Sequence, residues 1–173
     1  MTTDTATHTD PAAITEAEAE AVVRAAYRAA EGDVLDVQGF ADLFAEDGVF
    51  NNVNAGETYR GEHLGDLVGF MGALASDIHR ELHRFHVVNK NLVVVELSIQ
   101  GTVTGPFPTP AGVIPPSGQK LDIPTADFWY LDDAGKVKTF NCYVGVNIML
   151  AQLGVQPDFA GAVGASASAG PAD

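Results

Sequence analysis

Two hydrophobic periods run along this chain, and the change from one to the other divides it. In the first half apolar residues recur at helical spacing. Ile14, Ala21, Val22, Ala25 and Ala29 approximate one stripe. Thr15-Glu16-Ala17-Glu18 opens it with capping-box spacing, and Gly32 ends it. A second helix is predicted through Val37, Phe40, Leu43 and Phe44, closed by Glu46-Asp47-Gly48. Val49 to Val53 reads as a short strand before the turn Asn54-Ala55-Gly56. Tyr59-Arg60-Gly61 leads into a third helix, with Leu64, Leu67, Val68, Met71, Leu74 and Ala75 on one face.

From His79 onward the period falls to two. Strands are expected over His79 to Val88, Leu92 to Thr104, Lys120 to Leu131 and Lys136 to Val146, the last two joined by the turn Asp132-Asp133-Ala134-Gly135. Between the second and third of these lies a segment, 105–118, whose prolines and glycines argue against regular structure. A loop of that length is a lid or binding loop, or a disordered bulge. Ile148 to Leu153 is a short helical turn ended by Gly154. The layout is a disordered lead over 1–13, one domain over 14–154 and a flexible tail over 155–173. Helix, helix, strand, helix and four strands make an α+β fold. Three helices cover a curved, mainly antiparallel sheet in a cone with one open end, a natural pocket.

Composition narrows the partners. The chain has 173 residues, enough for one domain with a real core. Its net charge of −14 repels phosphate backbones and anionic membranes, so no nucleic-acid or membrane partner is expected. No run approaches the length of a membrane span, and the start lacks a secretory pattern. The single Cys142 allows no internal disulfide and fits a cytoplasmic location.

The candidate chemistry centres on Asp127. Pleating puts Thr125, Asp127, Trp129 and Leu131 on one face of their strand. A carboxylate among large apolar groups is costly when charged, so burial raises its pKa toward the range useful for acid–base work. The alternative is a strand-edge Asp, solvated or bonded to a backbone N–H. Asn51 and Asn52 are poor strand formers, and either face a pocket or begin the turn. In the next strand His79, Glu81, His83, Phe85 and Val87 share one predicted face. His79 and His83 would lie roughly 13 Å apart, too far to bind one zinc together. Either is a candidate proton shuttle, or an ordinary surface or core histidine. No metal site is expected.

The sequence resembles the SnoaL-like polyketide cyclases and ketosteroid isomerase relatives of the nuclear-transport-factor-2-like superfamily. The resemblance rests on Ala30-Glu31-Gly32-Asp33, Leu43 to Gly48, Tyr59-Arg60-Gly61, Val95 to Gly101, Ala126-Asp127-Phe128, Gly135-Lys136-Val137 and Leu150 to Gly154. It implies that Asp127 is the acid/base. It puts Asn52 where the isomerases carry their base, and their oxyanion tyrosine on Ala25, with Tyr27 pointing to another helix face. It also implies an apolar pocket lined by Val93, Val95, Leu97, Phe140, Cys142 and Val144, with Trp129 binding the substrate body. Gly145 replaces an aspartate common in the family. In dehydratase relatives the matching His–Asp pair would be His79, or His83 by register, with Asp33.

The resulting expectation is a small-molecule enzyme that needs no cofactor. It would cyclise, isomerise or eliminate on an apolar, carbonyl-bearing, polyketide-like substrate. Asp127 would move the proton, His79 or His83 would relay it, and Asn52 would donate to the oxyanion. Alternatives are an epoxide or ester hydrolase, disfavoured by the lack of an arginine beside Asp127, and a non-catalytic ligand-binding or dimerisation module. The resemblance also implies a homodimer.

Overall fold

A computed structural model describes residues 13–169. The predicted disordered lead, except its final residue, and the last residues of the tail lie outside the described residues.

The chain runs α1 (Glu16–Ala30), α2 (Val37–Ala41), β1 (Phe44–Asn52), β2 (Glu57–Arg60), α3 (Asp66–Leu74), β3 (His79–Asn89), β4 (Leu92–Thr102), β5 (Phe107–Thr109), β6 (Gly112–Ile114), β7 (Lys120–Leu131), β8 (Val137–Val144), α4 (Val146–Gln152) and α5 (Phe159–Ala169). Six strands form one curved, unclosed sheet in the order β2-β1-β8-β7-β4-β3. Among the described residues only β1 and β8 pair parallel. The α+β architecture expected from the period change is therefore present, with α1 packed on β3 and β4.

The predicted start of α1 forms: Glu18 N–H donates to Thr15 Oγ1 at 3.2 Å, and Thr15 N–H donates to Glu18 Oε2 at 2.7 Å. Its buried face differs from the expected stripe. Ala19, Val23, Ala26, Tyr27, Ala29 and Ala30 turn inward, and Ala25 is exposed. Alanine occurs on every side of this helix, so periodicity alone sets its rotation poorly.

Four further differences have local causes. The second helix is short, because the chain is already extended at Phe44. Glu46-Asp47-Gly48 sits in an irregularity of β1, where the register with β8 shifts between Phe44 and Val49. Residues 57–60 form edge strand β2 rather than a lead into α3. The proline-rich segment folds into the β5–β6 hairpin, whose ladder includes only one proline, Pro108 opposite Val113, on an isolated two-stranded edge where a missing donor is tolerated. Gly105 anchors that hairpin against α3: its N–H donates to Leu74 O, and a Cβ there would stand 1.9 Å from Ala73 O. Finally, the segment read as a flexible tail carries α5, with Phe159 and Val163 largely exposed.

One core fills the concave side. Trp129 stacks on Phe140 with ring centroids 3.6 Å apart, and Phe140 stacks on Phe50 at 4.5 Å.

Candidate functional site

A row of inward side chains crosses the middle of the sheet. Asp127 on β7 pairs with Val95 on β4 and with Cys142 on β8, and Cys142 pairs with Asn52 on β1. Pleating sends all four to the concave face, and all four are buried. Asp127 retains 2% of its exposure.

A tyrosine from α1 meets this carboxyl. Tyr27 O–H donates to Asp127 Oδ2 at 2.8 Å, and Trp129 Nε1–H donates to Tyr27 Oη at 3.0 Å. Asp127 Oδ1 has no hydrogen-bond partner. Cys142 faces it closely enough to interact electrostatically but makes no bond of normal geometry. Burial pushes the Asp127 carboxyl up to about 7, opposed by the Tyr27 bond, by Cys142 and by the charge of Arg80. Burial likewise drives the Tyr27 phenol and the Cys142 thiol well above their usual ranges, with the Asp127 charge adding to both.

Arg80, half-buried at the start of β3, lines the same cavity as Asp127 and Tyr27. Its guanidinium donates to Ala30 O, and its backbone N–H donates to Glu31 Oε1 at 2.9 Å. Its cation thus caps the negative end of α1 and is held over the cavity. Burial lowers its pKa, opposed by Glu31 and Asp127.

The cavity at Asp127 measures about 50 Å³. A larger chamber of about 450 Å³ lies toward the open end, roofed by Phe107 and Pro108 of the hairpin. Leu67, Met71, Ile99 and Cys142 belong to the walls of both. The two thus adjoin across these walls, and Asp127 lines the smaller. Asn52 borders the outer chamber; its Nδ2 donates to Glu57 Oε2 at 3.0 Å, and its Oδ1 is buried without a partner. The atom it leaves unpaired is thus an acceptor, not the oxyanion donor expected.

The apolar positions divide. Leu97, Phe140, Cys142 and Val144 border one or both cavities. Trp129, Val93 and Val95 border neither; they are packed core, and the Trp129 ring is covered by Phe140. Neither histidine reaches Asp127. A bulge between Leu82 and Arg84 breaks the alternation of β3, so Arg80, Leu82, Phe85 and Val87 pair with inward residues of β4. His79 and His83 lie on the outer face. His83 meets Ser98 Oγ at 3.0 Å. His79 Nδ1 lies 2.7 Å from Glu31 Oε2, and this pairing raises its pKa. The expected His79–Asp33 pair does not form, since Asp33 bonds Arg28 at 2.9 and 3.0 Å.

Tyr27 and Arg80 are the residues that sequence reasoning missed. The placement of the oxyanion tyrosine on Ala25 is corrected: Ala25 is exposed, and Tyr27 occupies the inward position. A tyrosine on an alanine-rich helix face was the available signal, since a buried phenol needs a polar partner. Among the described residues no group of three or more His, Cys, Asp or Glu could hold a metal ion, and no helix is long and apolar enough to cross a membrane.

A helix-covered curved sheet with a buried carboxyl at a cavity on its concave face defines the class of fold. The chain belongs to the SnoaL-like domain family, whose model matches residues 22–140. No curated protein sequence matches it. Among solved structures it is similar to IdmH of Streptomyces antibioticus, provisionally named a polyketide cyclase. That match has 20% identity and a TM-score of 0.63, and covers 79% of this chain and 99% of that one. A protein from Catenulispora acidiphila with a ketosteroid isomerase-like fold aligns at 20% identity and TM-score 0.62, covering 78% and 93%. The epoxide hydrolase/cyclase-like enzyme SalBIII aligns at 15% identity and TM-score 0.59, covering 76% and 94%. At these identities the likeness shows the fold.

Proposed function

We propose that this protein is an enzyme acting by acid–base chemistry on an apolar, carbonyl-bearing, polyketide-like molecule. The observation that carries this is Asp127: a carboxyl pushed up to about 7, with one oxygen held by Tyr27 and the other unpartnered at a cavity. Near neutral pH such a group is populated in both protonation states, the condition for efficient proton transfer. Asp127 Oδ1 removes a proton alpha to the substrate carbonyl and returns it at another atom, or at the end of a ring closure. The Arg80 cation, in the same cavity, stabilises the charge that develops on the carbonyl oxygen. Tyr27 orients the carboxyl and limits the rise of its pKa. The 450 Å³ chamber falls in the range of small-molecule sites and holds the substrate body. A homodimer is proposed through the outer sheet face, where Tyr130, Tyr143 and Val88 are exposed.

The test is thermal stability of wild type and Asp127→Asn against a panel of apolar phenols and polycyclic enolate mimics, followed by turnover of the matching ketones. Stabilisation of the wild type that changes in the variant, with turnover lost, supports the reading. Full activity in Asp127→Asn refutes it.

Epoxide opening is the second reading, and Arg80 favours it, since an arginine does line the Asp127 cavity. SalBIII is described in pyran ring formation in the polyether salinomycin. In this chemistry Asp127 takes a proton from the attacking hydroxyl or water as the new C–O bond forms and the epoxide C–O bond breaks, and the alkoxide that leaves beside Arg80 takes that proton back from Asp127 or one from water. No second Asp or Glu lines that cavity, so the enolate reading stands first. Diol or cyclic ether from an epoxide probe, with no exchange of protons alpha to a ketone, would reverse the order.

A further inference from the structure

We propose that the outer chamber selects ligands bearing a protonated amine, so that the substrate is an amino-bearing carbonyl compound rather than a carboxylic acid. Selection for the amine rests on the chamber alone; its status as substrate rests on the acid–base reading above. The polar residues lining the chamber are Asn52, Glu57, Tyr59 and Asp66, and no lysine or arginine lines it. The hydrogen bonds among them leave acceptors facing the ligand. A carboxylate only accepts, so the Asn52 amide must turn its nitrogen to Glu57 Oε2, at 3.0 Å. That orientation commits Asn52 Oδ1 as a carbonyl acceptor. Asn52 is 95% buried and lines the chamber, and its Oδ1 is buried with no partner. Tyr59 O–H donates to the same Glu57 oxygen at 2.8 Å, which uses its one donor. Asp66 adds a second carboxylate, facing His63 Nδ1 at 2.9 Å.

An ammonium carries three donors and no acceptor, the complement of this set. A hydroxyl fills one acceptor and a carboxylate fills none. The rings of Tyr59, Phe70 and Phe107 on the same walls suit a cation as well. The chain's net charge of −14 draws cations and repels anions at longer range.

The experiment is isothermal titration calorimetry at low salt with phenylbutylamine, phenylbutanol and phenylbutanoate, which share one apolar body. The amine should bind about tenfold more tightly than the alcohol, and the carboxylate most weakly. Glu57→Gln, at an exposed position that tolerates the change, should cut amine affinity about tenfold and leave the alcohol within about twofold. The proposal is overturned if the carboxylate binds as well as the amine, if Glu57→Gln leaves amine affinity unchanged, or if the amine does not bind. Asp127→Asn separates the two readings. Retained turnover there with an intact amine preference would defeat the acid–base reading and leave this one standing.

Discussion

Replacing Asp127 by Asn should make the protein more stable as the pH rises, relative to wild type. Asparagine keeps the shape and can still accept the Tyr27 hydrogen bond through its own Oδ1, but it carries no charge. In the wild type the carboxyl moves from its ordinary 3.8 to about 7 on folding, chiefly through burial. With only 2% exposure there is little solvent screening to discount. A rise of about three units at about 1.4 kcal/mol per unit is on the order of 4 kcal/mol. The sign follows from proton binding. Between about pH 4 and 7 the native carboxyl holds a proton that the unfolded one releases, so wild-type stability falls across that window. Below it the contribution is fully present; above about pH 7 it is lost. The isoelectric point near 4.4 discourages work at the acid end. From about pH 5.5 to 8.5, on the order of 2 kcal/mol of the effect remains. Urea denaturation of both proteins at each end reads it. With a slope of about 2 kcal/mol/M, the variant's midpoint should gain about 1 M on the wild type between the two conditions. Taking the difference between proteins cancels the other titrating groups. A gap that does not change with pH, or one that shrinks as pH rises, would refute a buried carboxyl of raised pKa at Asp127.

Tyr27→Phe removes the bond that lowers the Asp127 pKa and leaves Trp129 Nε1 without its acceptor. It should shift the Asp127 limb of a pH–rate profile upward and cost about 2–3 kcal/mol in urea denaturation. Met71→Ala removes a wall shared by the two cavities; it should cost about 2–5 kcal/mol yet enlarge the set of phenols that raise the melting temperature. Thr15→Ala removes the hydroxyl that accepts from Glu18 N–H and leaves the backbone half of the α1 capping box, and its expected loss of about 1 kcal/mol should leave ligand-induced thermal shifts unchanged. Gly105→Ala would force a methyl against Ala73 O and displace the hairpin roof, costing about 1–3 kcal/mol and weakening ligand-induced shifts.

Periodicity and turn chemistry act over a few residues, and what depends on them was readable in the chain. The change from helical to alternating pattern near His79 determined the α+β class. The capping box at Thr15 determined where α1 begins. The period of two in β7 determined that Asp127 shares a face with Trp129, and the apolar company on that face implied a raised pKa. The family resemblance carried by scattered short motifs agrees with the SnoaL-like match over residues 22–140.

What depends on which segments come to lie together was decided only by the tertiary structure. Tyr27 and Asp127 are 100 positions apart, and nothing local to α1 says that its tyrosine finds a carboxyl. Arg80 enters the cavity, and the histidines leave it, because one bulge in β3 is fitted to the register of β4. A bulge reverses the facing of residues beyond it, so one extra residue outweighs a run of correct alternation. Phe44 shared the helical spacing of Val37, Phe40 and Leu43 but pairs with Val137 of β8, since tertiary pairing overrides a weak local preference. The sequence alone thus determined that an acid stands on an apolar strand face. Only the packing of a helix and a bulged strand around that face decided that Tyr27 and Arg80 meet the acid at a cavity.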